Sequence, residues 1–114
     1  MIPAPPPVSV ATVVKFNLLM DEGGDFDAAA ALLNDDKFEF ITPKKSFMTK
    51  SDWLQGFPDV HKESPIFEPP APGSHPLQVL RAGKKKLGPL TISLVETYEL
   101  DEDGKIEKIS VARA

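Results

Sequence analysis

The sequence predicts one α+β domain in which an N-terminal helical half packs across a curved antiparallel sheet formed by the C-terminal half. Three observations predict it. A chain of 114 residues, 41% hydrophobic and 26% charged, has the size and balance of one globular core rather than two. Apolar residues recur at helical spacing up to Leu33 and begin to alternate with polar ones from Lys37. The last third consists of long β-forming runs joined by short turns, with no crossover helix between them, which excludes a parallel βαβ sheet.

Residues 1–8 are proline-rich and read as a stiff extended arm, leaving 9–114 as the domain. Ser9 can cap a first helix whose apolar positions Val10, Val13, Val14, Phe16, Leu18, Leu19 and Met20 cover a broad face, and Gly23-Gly24 stops it. Asp25 caps a second helix carrying Phe26, Ala29, Ala30 and Leu33, which Asn34-Asp35-Asp36 ends. Lys37 to Thr42 alternates, with Phe38 and Phe40 on one face and Glu39 on the other, so it reads as a strand that Pro43 closes before a solvated turn. Thr49-Lys50-Ser51-Asp52 fits a capping box opening a helix with Trp53, Leu54 and Phe57 on its apolar face, limited by Pro58.

Five prolines between Pro65 and Pro76 restrict Ile66-Phe67-Glu68 to a sheet edge. Leu77–Ala82 alternates weakly, Gly83–Gly88 reads as a basic hairpin tip, and Leu90–Leu100 is a long strand. Asp101-Glu102-Asp103-Gly104 turns the chain into a last strand, Ile106–Ala112.

A net charge of −4 and a pI near 5.1 give no basic footprint for nucleic acid or an anionic membrane surface. With no cysteine there is no disulfide framework, no thiolate metal site and no cysteine nucleophile. The start of the chain lacks the pattern of a secretory signal, and no apolar run approaches a bilayer span, so the expectation is a soluble, cytoplasmic protein. Neither histidine shows metal-ligand spacing and no Gly-rich phosphate loop is present, so no metal and no cofactor is expected.

Asp25-Phe26-Asp27, Phe38-Glu39-Phe40-Ile41-Thr42-Pro43, Lys50-Ser51-Asp52-Trp53-Leu54 and Asp103-Gly104-Lys105-Ile106 occur in an order that resembles the nuclear transport factor 2-like superfamily, especially SnoaL-like domains. The resemblance runs from about Val10 to Arg113. It implies a cone-shaped fold whose helices and strongly bent sheet enclose a pocket, commonly in a homodimer. It implies no single activity, because that superfamily mixes isomerases, dehydratases, polyketide cyclases, transport adaptors and binding modules. In its ketosteroid isomerases a carboxylate base stands just before a proline at the end of the first strand. Here that place resembles Thr42 before Pro43, and a threonine hydroxyl is no base near neutral pH without an activating partner.

Two groups are candidates for acid–base catalysis. If its strand is unbulged, Glu96 shares the apolar face of Leu90, Ile92, Leu94, Tyr98 and Leu100 and points inward, unless Arg81 pairs with it structurally. His61 follows the Trp53 helix, near the mouth expected of such a cone, though a loop histidine at the surface is the plainer reading. Phe38, Phe40, Trp53, Phe57 and Tyr98 are the candidate lining of a pocket for a flat organic ligand, or simply core. Lys84-Lys85-Lys86 is a solvated turn or a meeting point for an anion or acidic partner.

Three functions compete on this reading. The first is a homodimer binding a small hydrophobic ligand in the pocket. The second is a lyase or isomerase of the polyketide cyclase type that moves a proton with His61 or Glu96. The third is a dimeric protein-interaction module without a ligand, using the uncharged outer sheet face of Thr91, Ser93, Val95 and Thr97.

Overall fold

The computed structural model describes residues 8–62 and 65–114; most of the proline-rich arm lies outside them, and Val8 already belongs to the first helix. Among the described residues the chain forms α1 (Val8–Asp21), α2 (Phe26–Ala30), β1 (Glu39–Ile41), β2 (Ser46–Phe47), α3 (Lys50–His61), β3 (Ile66–Phe67), β4 (Ala71–Pro72), β5 (Gln78–Leu87), β6 (Leu90–Leu100) and β7 (Ile106–Arg113). The helices pack on a curved, unclosed sheet of order β2-β1-β7-β6-β5-β3, with β4 also paired to β5. This is the expected α+β arrangement with one change: β1 runs parallel to β7, so the sheet is mixed. The chain between β1 and β7 contains α3 and three further antiparallel pairings, long enough to bring β7 back alongside β1.

The helix signals act as read at two of three starts. Asp25 caps α2 by accepting from the Ala28 N–H at 3.0 Å, and Thr49 caps α3 by accepting from the Asp52 N–H at 3.0 Å. Ser9 does not cap α1. It lies inside the helix, and its hydroxyl donates to the Pro76 carbonyl at 2.7 Å, tying α1 to the proline-rich loop before β5. Pro58 does not end α3 either: the helix runs to His61, held by Phe57 stacking on Trp53 at 5.1 Å and by His61 against Phe26 at 5.5 Å. Packing against neighbouring rings compensates there for the backbone bond that proline cannot donate.

The larger correction concerns the basic tip. Lys84, Lys85 and Lys86 belong to β5, which pairs with β6 from Gln78↔Glu99 to Leu87↔Leu90. The turn is Gly88-Pro89, with Gly88 at φ +61 in the left-handed region that a two-residue hairpin loop demands. Gly83 is not a turn residue: a Cβ there would lie 2.5 Å from the Phe67 ring, which covers the strand at that point.

Strand register sets the concave face. Val79, Tyr98 and Ile109 form a fully buried row across β5, β6 and β7. The next row is Arg81, Glu96 and Val111, then Gly83, Leu94 and Arg113, then Lys85 beside Ile92. Burial falls along this series, so the sheet closes against α1 and α3 at the Tyr98 row and opens toward Ile92. Phe16, Trp53 and Tyr98 join α1, α3 and β6 at the closed end, with ring centroids 5.7 Å apart for Phe16–Trp53 and 6.3 Å for Phe16–Tyr98.

Candidate functional site

Between the open rows of the concave face, the C-terminal half of α3 and the end of β1 lies a cavity of about 630 Å³. That volume falls within the range of small-molecule sites. Its apolar wall includes Phe40, Phe57, Ile92, Leu94, Ile109 and Val111. Its polar groups are concentrated in Arg81, Glu96 and Tyr98 deep in the cavity, and in His61, Asp21 and several cations elsewhere in the lining.

The deep cluster follows from strand alternation. Glu96 and Tyr98 are two apart on β6 and share the inner face, and Arg81 is the cross-strand partner of Glu96. Glu96 is 4% exposed, and its carboxylate accepts short hydrogen bonds from Arg81 Nε and the Tyr98 hydroxyl. The Arg81 guanidinium lies 3.9 Å from the Phe67 ring centroid, so β3 holds it in place. Burial opposes the charge of Arg81, but the neighbouring oxygens of Tyr98 and Glu96 more than offset it and keep the guanidinium above its ordinary pKa. Burial and the adjacent Glu96 carboxylate raise the Tyr98 phenol well above the usual tyrosine value, so it is a hydrogen-bond donor throughout the neutral range.

Behind this cluster, Tyr98 Oη is also 3.0 Å from Asn17 Oδ1, while the buried Asn17 Nδ2 has no hydrogen-bond partner among the described residues. One phenol proton cannot serve two acceptors, and the carboxylate is the stronger one. An amide turned to present Nδ2 would give the phenol oxygen a donor and complete a chain from Asn17 through Tyr98 to Glu96.

Glu96 and His61 line the same cavity. His61 is half-buried at the end of α3, with Nε2 3.1 Å from Asp21 Oδ1. Phe40, Phe57 and Tyr98 are in the cavity wall, whereas Phe38 and Trp53 are packed in the core behind it. Thr42 also lines the cavity, but its hydroxyl is committed to the β1–β2 turn, donating to the Lys45 carbonyl at 2.8 Å and accepting from the Lys45 N–H at 2.9 Å. Arg81 was visible in the sequence only as a partner for Glu96. Asn17, Phe67 and Arg113 were missed; the one available signal was a polar Asn17 on the apolar side of α1.

No family model matches the sequence, and no curated protein matches it. Solved structures do. A steroid delta-isomerase from Pseudomonas aeruginosa aligns over 100% of this chain and 84% of its own, with a TM-score of 0.73 and 17% identity. A nuclear transport factor 2-like protein of unknown function from Cytophaga hutchinsonii aligns over 99% and 95%, with a TM-score of 0.70 and 17% identity. A computationally designed 17-OHP binder aligns over 95% and 92%, with a TM-score of 0.69 and 15% identity. At such identities the likeness is one of architecture, and it establishes that the chain has the nuclear transport factor 2-like, SnoaL-like fold.

Proposed function

We propose that the domain is a homodimer that binds a small, largely apolar molecule in the cavity. The observation that carries this reading is the buried Arg81–Glu96–Tyr98 cluster on the wall of an otherwise apolar space of about 630 Å³. Such a space excludes water from most of a ligand's surface, while a few fixed polar groups orient it. The names of two structural neighbours, a steroid delta-isomerase and a 17-OHP binder, support a compact polycyclic ligand. The test is fluorescence titration with a neutral polycyclic dye, N-phenyl-1-naphthylamine, against wild type and Leu94→Trp, which projects an indole across the apolar wall where the dye would lie. Saturable binding with one dye per chain, lost in the variant at unchanged fold by circular dichroism, is expected. Absence of saturable binding to wild type would remove the reading.

The presence of Glu96 and His61 in one lining favours a second reading, proton transfer on the bound molecule. Glu96 would be the base, with Arg81 orienting it. Solvent deuterium exchange at the carbon next to the carbonyl of 2-tetralone, followed by NMR, should run faster with wild type than with Glu96→Gln; equal rates in both would exclude a role for Glu96.

The dimer rests on the opposite side of the sheet. Of the outer face expected from Thr91, Ser93, Val95 and Thr97, the first two stand across from Lys86 and Lys84, but the rows Leu80–Thr97–Ser110 and Ala82–Val95–Ala112 are uncharged across three strands, an unusual surface to leave in water. Val95→Lys should shift the mass in light scattering from dimer to monomer; a monomeric wild type would refute this face as the interface.

A further inference from the structure

The cavity carries charge of the opposite sign to the protein. The chain has 13 Lys and Arg against 17 Asp and Glu, yet among the described residues the lining has five cations, Lys44, Lys45, Arg81, Lys85 and Arg113, against two acids, Asp21 and Glu96. Both acids are engaged, Glu96 by Arg81 and Asp21 by His61. Among the described residues Lys44, Lys85 and Arg113 have no carboxylate within ion-pair distance. Register places the last two at the open end of the concave face: Lys85 is cross-strand to Ile92 and Arg113 is cross-strand to Leu94. Two cations on β5 and β7 therefore flank an apolar track along β6 that leads down to Glu96 and Tyr98.

Resting on the ligand-binding reading above, we infer that the ligand is an amphipathic oxyanion, with an apolar body against Leu94, Ile109 and Phe57 and a carboxylate, sulfonate or phosphate head between Lys85 and Arg113. A cleft with low-dielectric walls focuses the field of such cations, so they attract an anion more strongly than the same charges spread over an open surface. A buried head group is disfavoured, because the one cation at the deep end, Arg81, is already paired with Glu96, and a further anion there would be buried without a partner. The head therefore belongs at the mouth, and the neutral end of the ligand meets the Tyr98 row.

The test uses two dyes with the same aromatic frame, the anionic 1-anilinonaphthalene-8-sulfonate and the neutral N-phenyl-1-naphthylamine. Wild type should bind the sulfonate about tenfold more tightly at low ionic strength, with the advantage collapsing at high salt. Lys85→Gln and Arg113→Gln should each weaken the sulfonate about threefold to fivefold and leave the neutral dye unchanged. Lys15→Gln, on the exposed side of α1, should change neither. Decanoate should displace the neutral dye at lower concentration than decanol, which extends the result from sulfonate to carboxylate. Equal affinity for the two dyes, or variants that weaken both alike, would overturn the anionic head while leaving apolar binding intact. Binding of neither dye would overturn both readings.

Discussion

Arg81→Met tests whether the buried cluster is the ion pair on which the site depends. The two side chains are only 12% and 6% exposed, so solvent screens their interaction little. Removing one partner of a buried pair costs about 3–5 kcal/mol, because the other charge is left uncompensated. The cavity gives water some access to Glu96, which places the cost of Arg81→Met near the lower end, about 3 kcal/mol. Glu96→Leu should cost less, about 2 kcal/mol, since the guanidinium keeps its contact with Phe67. A domain of 114 residues has a stability of about 6–17 kcal/mol, so both variants fold and can be measured by urea denaturation. The double variant should lie within about 1 kcal/mol of wild type: both charges are gone, and Tyr98 can still donate to Asn17 Oδ1. Single costs below about 1 kcal/mol, the behaviour of an exposed pair, or simple addition of the two costs in the double variant, would refute the reasoning.

Two further perturbations probe the same wall. Tyr98 is the sole tyrosine, so its ionisation can be followed directly by ultraviolet absorbance. Its folded pKa is raised, first by burial and then by Glu96; the unfolded chain releases the proton first, and stability held below about pH 10 is lost as pH rises toward the folded value. Native protein should show no tyrosinate band until it unfolds, and Tyr98→Phe should flatten the alkaline loss of stability; a band appearing near pH 10 in folded protein would contradict this. Gly83→Ala puts a methyl group 2.5 Å from the Phe67 ring, and displacing that ring also loosens Arg81. The expected loss is about 1–3 kcal/mol in urea unfolding, whereas an unchanged midpoint would show that the ring yields freely.

The fold was legible where local chemistry and tertiary packing agree. Thr49 and Asp25 cap helices because their side chains find backbone donors within three residues, a relation contained wholly in the local sequence. Leu90–Leu100 was read with its boundaries because β-forming residues fill it from end to end, and counting by twos from Ile92 and Leu94 also turned Glu96 inward although it breaks the apolar pattern of that face. The basic hairpin tip was misread because Gly83 and three lysines look like a turn. The glycine is there for the Phe67 ring, a residue far away in sequence, and the lysines alternate faces of a strand. The parallel β1–β7 pairing was hidden for the same reason: Phe40 meets Ile109 across most of the chain. Of the site, Glu96, Tyr98 and Phe57 were accessible from periodicity. Asn17 and Arg113 were not, because their relation to the cavity is set by how α1 and β7 meet the sheet.

The measurement that tests the central account most directly is methyl NMR with N-phenyl-1-naphthylamine. Strand alternation places Ile92, Leu94, Ile109 and Val111 in the cavity wall, and Leu80 and Val95 on the opposite face. The account predicts that dye shifts the first four sets of methyl resonances, saturating together, and leaves those of Leu80 and Val95 in place. Shifts confined to Leu80 and Val95, or none at saturating dye, would contradict it.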